Sequence, residues 1–448
     1  MARDLEGLAG ALLDAARKAG AEAADALAVE GDSLSIEVRA GALEQAERAE
    51  GVEVGLRVLL GKRQACVSAS DVRPETLTAM AERAIAMARE APEDPWCGLA
   101  APEQLARRWN IAALDLVDPS EMPSAAELRE TALVAEAAAL AVPGITRAEG
   151  AGAGWQASRF HLAASNGFSG GYGRTGHSIH AVAIHGEGLA MEQDHCVEGR
   201  AHRADLPDPD GIGRLAGERA VARAGARKPP TGAFPVLFDE RVASSLIGHL
   251  TQAINGAAVA RGASWLKDAL GEAVLPDGMD LVEDPTRPRT SGSRPFDGEG
   301  LPTSRRAIVE GGVLRGWTLD LATGRQLGLA STGNASRGTD GPPGPAVGNL
   351  TLTSGAMTRE ALIAGMGTGL IVTSLIGSSV NPTTGDYSRG ASGFWVERGE
   401  IVGPVNECTI AGNLRAMLRT LVAANDARPH LSRVVPSLLV EGLVVAGG

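Results

Sequence analysis

Two proline clusters partition this chain before any other feature is considered. In Ala91-Pro92-Glu93-Asp94-Pro95 both prolines lack a backbone donor and push the preceding residue away from the αR region, so neither a helix nor a central strand runs through. Lys228-Pro229-Pro230 has the same effect farther along. The expected organisation is three successive units, 1–95, 118–227 and 232–448, joined by connectors at 96–117 and 228–231. The expected fold class is α+β: a small N-terminal α+β domain, a middle domain of antiparallel sheet plus helix, and a large β-rich C-terminal domain.

Within the first unit, Leu5, Leu8, Leu12, Leu13 and Ala16 recur at helical spacing and predict an amphipathic opening helix. Short strands are expected at Leu34–Val38, Val52–Leu60 and Gln64–Ser68, then a helix over Thr76–Arg89. In the second unit Ser124 stands three residues before Glu127, the spacing of a capping box, and predicts a helix to Ala141. An antiparallel meander over Trp155–Ala164, Gly176–Ile184 and Ala190–Glu198 follows, with a turn at Asn166-Gly167, then a helix over Pro207–Ala226. The third unit is expected to be strand and turn, with helices only near Glu240–Asn255, Arg359–Ala364 and Leu414–Ala424.

The chain carries 42 Lys+Arg against 54 Asp+Glu, a net charge of −12, which makes nucleic acid or an anionic membrane a poor partner. No stretch reaches the roughly 18 consecutive apolar residues of a membrane helix. The first residues carry Asp4, Glu6 and Asp14 and do not read as a secretory signal. Four cysteines, none in a C-x-x-C pair, suit a reducing compartment, and the expected location is the cytoplasm.

Six of the eight histidines fall between His161 and His202, which invites a metal site. Strand alternation argues against it, since His177 and His185 share a parity that His180 does not, and the consecutive Asp194-His195-Cys196 diverge along a strand. Polar hairpin surface is the expected reading. Gly167-Phe168-Ser169-Gly170-Gly171 matches G-x-S-x-G, but a nucleophile elbow needs a strand before it and a helix after it, so Ser169 reads as a turn residue. Gly211-Ile212-Gly213-Arg214-Leu215-Ala216 fits a dinucleotide pattern only loosely and follows prolines where a strand belongs. His249 lies on the apolar face of the helix from Glu240, as a hydrogen-bonded core histidine would. Asp386 and Arg389 share the glycine-bounded loop Gly385–Gly390, which fits a ligand-contacting loop and a salt-bridged turn equally well.

Several segments in one order resemble the TldD/PmbA family of peptidases, and its PmbA (TldE) branch in particular. They include Gly51-Val52-Glu53-Val54-Gly55, Ser165-Asn166-Gly167-Phe168, Leu246-Ile247-Gly248-His249-Leu250, Pro295–Gly300, Ser331–Ala335, Gly365–Leu370, Gly385–Gly390 and Thr409–Asn413. The resemblance implies a two-subunit cytosolic metalloprotease whose TldD subunit holds zinc through H-E-x-x-x-H and a cysteine near its C-terminus. Here the second histidine matches His249, while Ser244 and Ser245 stand at the first histidine and the glutamate; the cysteine position falls near Val435. One imidazole without a carboxylate base does not make a catalytic zinc site.

No catalytic and no metal-ligating residue is therefore expected in this chain, and no cofactor; zinc is expected in a TldD-like partner subunit. His249, Asp386 and Arg389 are the candidates for a peptide cleft or a subunit interface. The expected substrates are small or unfolded peptides, including peptide-antibiotic precursors. The rival readings are a stand-alone metal hydrolase built on His177, His185 and His195, and a non-enzymatic peptide-binding protein.

Overall fold

The computed structural model of the protein describes residues 3–447, apart from the side chain of Ser378. Helix α1 (Leu5–Ala19) starts at Asp4, whose carboxylate accepts from the Gly7 N–H at 2.9 Å, and stops at Gly20, where φ is 99°. Leu5, Ala9, Leu12 and Ala16 form its buried stripe. Each leucine so buried contributes roughly 1.5–3 kcal/mol. Strands β1 (Ala23–Arg39) and β2 (Ala42–Leu60) form a long hairpin turned at Ala40 and Gly41, both at positive φ. They extend well beyond the expected segments because Ala42–Gly51 is exposed throughout, so no apolar alternation marks it. Strand β3 (Arg63–Ala69) and helix α2 (Pro74–Glu90) follow.

After the short α3 (Ile111–Leu114), helix α4 (Ala125–Leu140) opens on the capping box read from Ser124. Ser124 Oγ accepts from the Glu127 N–H at 3.2 Å, and Glu127 Oε2 accepts from the Ser124 N–H at 2.8 Å. The meander is β4 (Ile145–Ala164), β5 (Ser169–His185) and β6 (Glu192–Arg200), and α5 (Pro209–Ala222) packs on α4. Gly213 and Gly217 set that approach: a Cβ at Gly213 would lie 1.9 Å from the Ala135 carbonyl oxygen. The loose dinucleotide pattern is thus a helix-packing surface.

All six strands belong to one antiparallel sheet, in the order β3-β2-β1-β4-β5-β6. The segments 1–95 and 118–227 therefore share one hydrogen-bonded unit. Ala24, Ala26 and Ala28 of β1 pack under α1 and α2, and Leu34, Ile36 and Val38 under α4 and α5. Leu27 points to the opposite face, where with Leu162 and Tyr172 it meets Phe296 of the C-terminal part.

Strand β7 (Gly232–Phe238) opens that part and runs through Asp239 into α6 (Glu240–Ala253). Then come α7 (Gly256–Ala260), β8 (Leu281–Glu283), the hairpin of β9 (Arg306–Glu310) and β10 (Val313–Leu314), and α8 (Leu321–Leu327). Two-residue strands β11 (Ala335–Ser336) and β12 (Gly344–Pro345) precede β13 (Leu350–Leu352) and α9 (Arg359–Gly365). Three long strands, β14 (Gly369–Val380), β15 (Asp386–Glu397) and β16 (Glu400–Asn413), lead to α10 (Leu414–Thr420), β17 (Val422–Ala423), β18 (Arg433–Val434) and β19 (Leu438–Ala446). Helices α7 and α8 correct the expectation of helices at only three places. At 5 residues α7 is too short for a 3.6-residue period to register, and α8 buries Thr323 and Gly324 beside Leu321, so no apolar stripe marks it.

The principal C-terminal sheet runs β16-β15-β14-β7-β19-β17, and a further β16–β19 pairing closes it on itself. Val236 and Phe238 of β7 face the core beneath α6, whereas Leu237 faces α9. β7 pairs with β14 only at Leu370–Val372. Thr373–Val380 consequently has no strand neighbour on that side among the described residues. Among the described residues no helix is long and apolar enough to cross a membrane.

Candidate functional site

Helix α6, the open edge of β14 and the start of β15 meet at one corner of the C-terminal part. Asp239 caps α6 by accepting from the Arg241 N–H at 3.3 Å, and Ala243, Leu246, Ile247 and Leu250 anchor the helix in the core. That leaves Ser244, Ser245 and His249 half-buried on its flank. Ser245 Oγ donates back to the Val242 carbonyl at 2.7 Å. Ser244 lines a hollow of about 310 Å³ together with Glu240, Arg219, Arg241, Arg428 and Arg433.

His249 is not the hydrogen-bonded core histidine its helical position implies. Both ring nitrogens are sealed from solvent without a partner; Gln252 approaches but does not meet hydrogen-bond geometry. The ring instead stands edge-on to Tyr387, centroids 5.8 Å apart. Burial, with the Arg389 guanidinium nearby, holds the imidazole below its ordinary pKa. Tyr387 is buried; Arg389 approaches its hydroxyl, which among the described residues has no partner at hydrogen-bond geometry, and burial pushes its pKa up to about 12. Thr373, where β14 loses its neighbour, has a second buried hydroxyl without a partner among the described residues.

Asp386 and Arg389 do not form the salt-bridged turn that was one reading of their loop. Both sit on β15, three residues apart, so alternation sends them to opposite faces. Asp386 accepts from Thr384 Oγ1 at 2.6 Å and Asn413 Nδ2 at 3.0 Å, which holds its pKa below the usual carboxylate range. Arg389 shares the face of Tyr387, donates from Nε to the Gly377 carbonyl at 2.7 Å, and pairs with no carboxylate among the described residues. The structure thus brings His249 and Arg389 together and leaves Asp386 outside.

The donor set at the zinc positions does not fit a zinc ion. His249 offers one imidazole, Ser244 and Ser245 offer hydroxyls, and Val435 is buried hydrocarbon. The histidines of β5 and β6 do not assemble either. His177 Nε2 lies 3.1 Å from Asp118, His185 Nδ1 lies 2.6 Å from the Gly144 carbonyl, and the His195 side chain is 65% exposed. Among the described residues no three His, Cys, Asp or Glu side chains converge on a point that could hold a metal. Ser169 begins β5, and its hydroxyl meets His161 Nε2 across the hairpin at 2.8 Å.

Sequence reasoning missed Tyr387 and Thr373: Tyr387 lay inside the Gly385–Gly390 segment read as a loop, where only the charged Asp386 and Arg389 drew notice, and Thr373 carries no motif. It also missed Asp25, a lone carboxylate inside an alanine-rich strand. Asp25 is buried against Arg57 Nε at 2.9 Å and against Arg337.

Three family models cover the chain in succession. The PmbA/TldA metallopeptidase domain 1 matches residues 24–88, the central domain 118–224 and the C-terminal domain 231–447. The Metalloprotease PmbA of Escherichia coli O157:H7 is 37% identical over 92% of this chain and 90% of its own. The Metalloprotease PmbA homolog of Haemophilus influenzae is 35% identical over 97% and 94%. A crystal structure from Bacteroides thetaiotaomicron superposes with a TM-score of 0.92 at 28% identity over all of both chains. TldE from Thermococcus kodakarensis shares the fold, with a TM-score of 0.84 at 19% identity over 98% of this chain and all of that one. This chain belongs to the PmbA/TldD metallopeptidase family, on its PmbA (TldE) side.

Proposed function

We propose that this chain is the metal-free subunit of a two-subunit cytosolic metallopeptidase, paired with a TldD-like relative that supplies the zinc. The observation that carries the reading is the donor set of α6: hydroxyls at Ser244 and Ser245 and one half-buried imidazole at His249. Without a carboxylate at 245 no general base stands one turn from His249, and hydrolysis falls to the partner. The substrates are small or unfolded peptides, peptide-antibiotic precursors among them. The open edge of β14 at Thr373–Val380 supports a peptide-holding role, because an unpaired strand edge accepts an extended chain through main-chain hydrogen bonds. His249 and Arg389 border that edge as cleft or interface groups. The test is a peptide-digestion assay with four arms: this chain, the zinc-bearing relative, both, and both with a chelator. Activity in the third arm alone supports the reading, and activity of this chain by itself overturns it.

A further inference from the structure

The sheet face opposite α1, α2, α4 and α5 meets the C-terminal part across a second cleft, of about 330 Å³. Phe160, Tyr172 and Phe296 line it as one packed aromatic cluster. Their rings pack edge to face, with centroids 4.1 Å apart for Phe160–Tyr172 and 5.6 Å for Tyr172–Phe296. This apolar surface is bordered by three guanidinium-bearing residues, Arg174, Arg294 and Arg337. None of the residues of the α6 corner lines it.

The charge of this cleft is not balanced. Arg174 donates only to the Ser291 and Ser293 carbonyls, at 2.7 and 3.4 Å, and to the Tyr172 hydroxyl at 3.1 Å. Arg294 donates only to the Ala335 and Ala346 carbonyls, at 3.4 and 3.0 Å. The Arg337 side chain, 2% exposed, shares the single carboxylate of Asp25 with Arg57. Asp297 is the one carboxylate in the lining among the described residues, and it already accepts three backbone N–H groups, from Glu299, Leu301 and Ala335. Arg294 Nε and Arg337 Nη2 are buried without any acceptor. A buried cationic donor left without an acceptor is costly, and an anion entering the cleft removes that cost. In a chain of net charge −12 this excess is local to the cleft.

We propose that this cleft binds a small carboxylate bearing an aromatic or apolar group, the chemistry presented by the free C-terminal residue of a peptide. The guanidinium groups that border the cleft suit a planar carboxylate, and the rings that line it suit an apolar side group. The inference goes beyond the two-subunit reading, and its test involves no peptide cleavage.

Isothermal titration of the full chain is run with N-acetylphenylalanine, its amide, the peptide acetyl-Ala-Ala-Phe with a free C-terminus, and inorganic phosphate. The acid is expected to bind at least about tenfold tighter than the amide, because only the acid gives the guanidinium groups an anion. Tighter binding of the peptide identifies a peptide end as the ligand, and equal binding identifies a small free acid; both support the site. Arg294→Gln and, separately, Arg174→Gln are expected to weaken acid binding about tenfold with circular dichroism and melting temperature unchanged. Equal binding of acid and amide, no saturation by either, tighter binding of phosphate, or unaltered affinity in both folded variants overturns the proposal.

Discussion

His249 and Tyr387 stand edge to face with ring centroids 5.8 Å apart and planes inclined by 72°, and among the described residues neither ring nitrogen nor the hydroxyl has a partner at hydrogen-bond geometry, though Gln252 and Arg389 approach them. Buried polar groups in folded proteins are almost always paired, so two orphans in contact mark a place where the fold retains polarity it does not need for itself. Removing the orphan hydroxyl while keeping the ring should therefore cost little. Tyr387→Phe is expected to leave stability unchanged or raise it by up to about 1 kcal/mol, whereas Tyr387→Ala should lose about 3–5 kcal/mol through the cavity it opens. Urea denaturation of both variants checks this, and a large loss in Tyr387→Phe would reveal a partner for the hydroxyl.

Asp25 is buried between Arg57 and Arg337, each of which is within ion-pair distance of it. Asp25→Asn leaves two buried guanidinium groups without a counter-charge and is expected to destabilise by about 3–5 kcal/mol. The pair Asp14–Arg17, with side chains 64% and 76% exposed, is the control, and Asp14→Asn should cost less than about 1 kcal/mol. Similar losses in the two variants would contradict the assignment of Asp25 as a structural anchor between the sheet and the C-terminal part.

Burial beside Asp297 pushes the Glu299 carboxyl from its ordinary 4.5 up to about 8; Asp320 adds to the shift and Arg57 opposes it. Between those values the folded chain keeps a proton that the unfolded chain has released. The resulting stability is full below the unfolded pKa and is lost as pH rises through the folded one. Glu299→Gln keeps an acceptor for the Leu321 N–H, which Glu299 now binds at 2.8 Å, and removes the proton linkage. Its melting temperature should fall less than that of the parent between about pH 5 and pH 8. Parallel pH profiles would show that Glu299 is ionised in the fold.

Two glycines on one helix should respond oppositely to alanine. At Gly213 a Cβ meets the Ala135 carbonyl at 1.9 Å, and at Gly211 nothing lies within 4 Å. Gly213→Ala is expected to lose about 1–3 kcal/mol by forcing α5 away from α4. Gly211→Ala should gain about 0.4–1 kcal/mol by restricting the unfolded chain. Thermal melts distinguish the two, and equal responses would contradict the close helix contact.

Much of this was legible in the residues, for reasons that differ along the chain. The stripe Leu5–Ala16 and the Ser124–Glu127 box encode their helices locally, and both form at those positions. The long hairpin was underestimated because Ala42–Gly51 carries charged residues on an exposed edge, where no burial imprints a period. The serines at 244 and 245 and the imidazole of His249 could be placed together from the residues alone because one helix, α6, carries all three. The three-arginine cleft was not readable, since Arg174, Arg294 and Arg337 lie on separate segments that only the packing of the sheet on the C-terminal part brings together.

The central claim concerns what α6 holds. Elemental analysis of the purified full chain, dialysed against excess zinc and then against metal-free buffer, tests it most directly. The account predicts far less than one zinc per chain, unchanged by His249→Ala. One tightly retained zinc per chain, lost in His249→Ala, would contradict it.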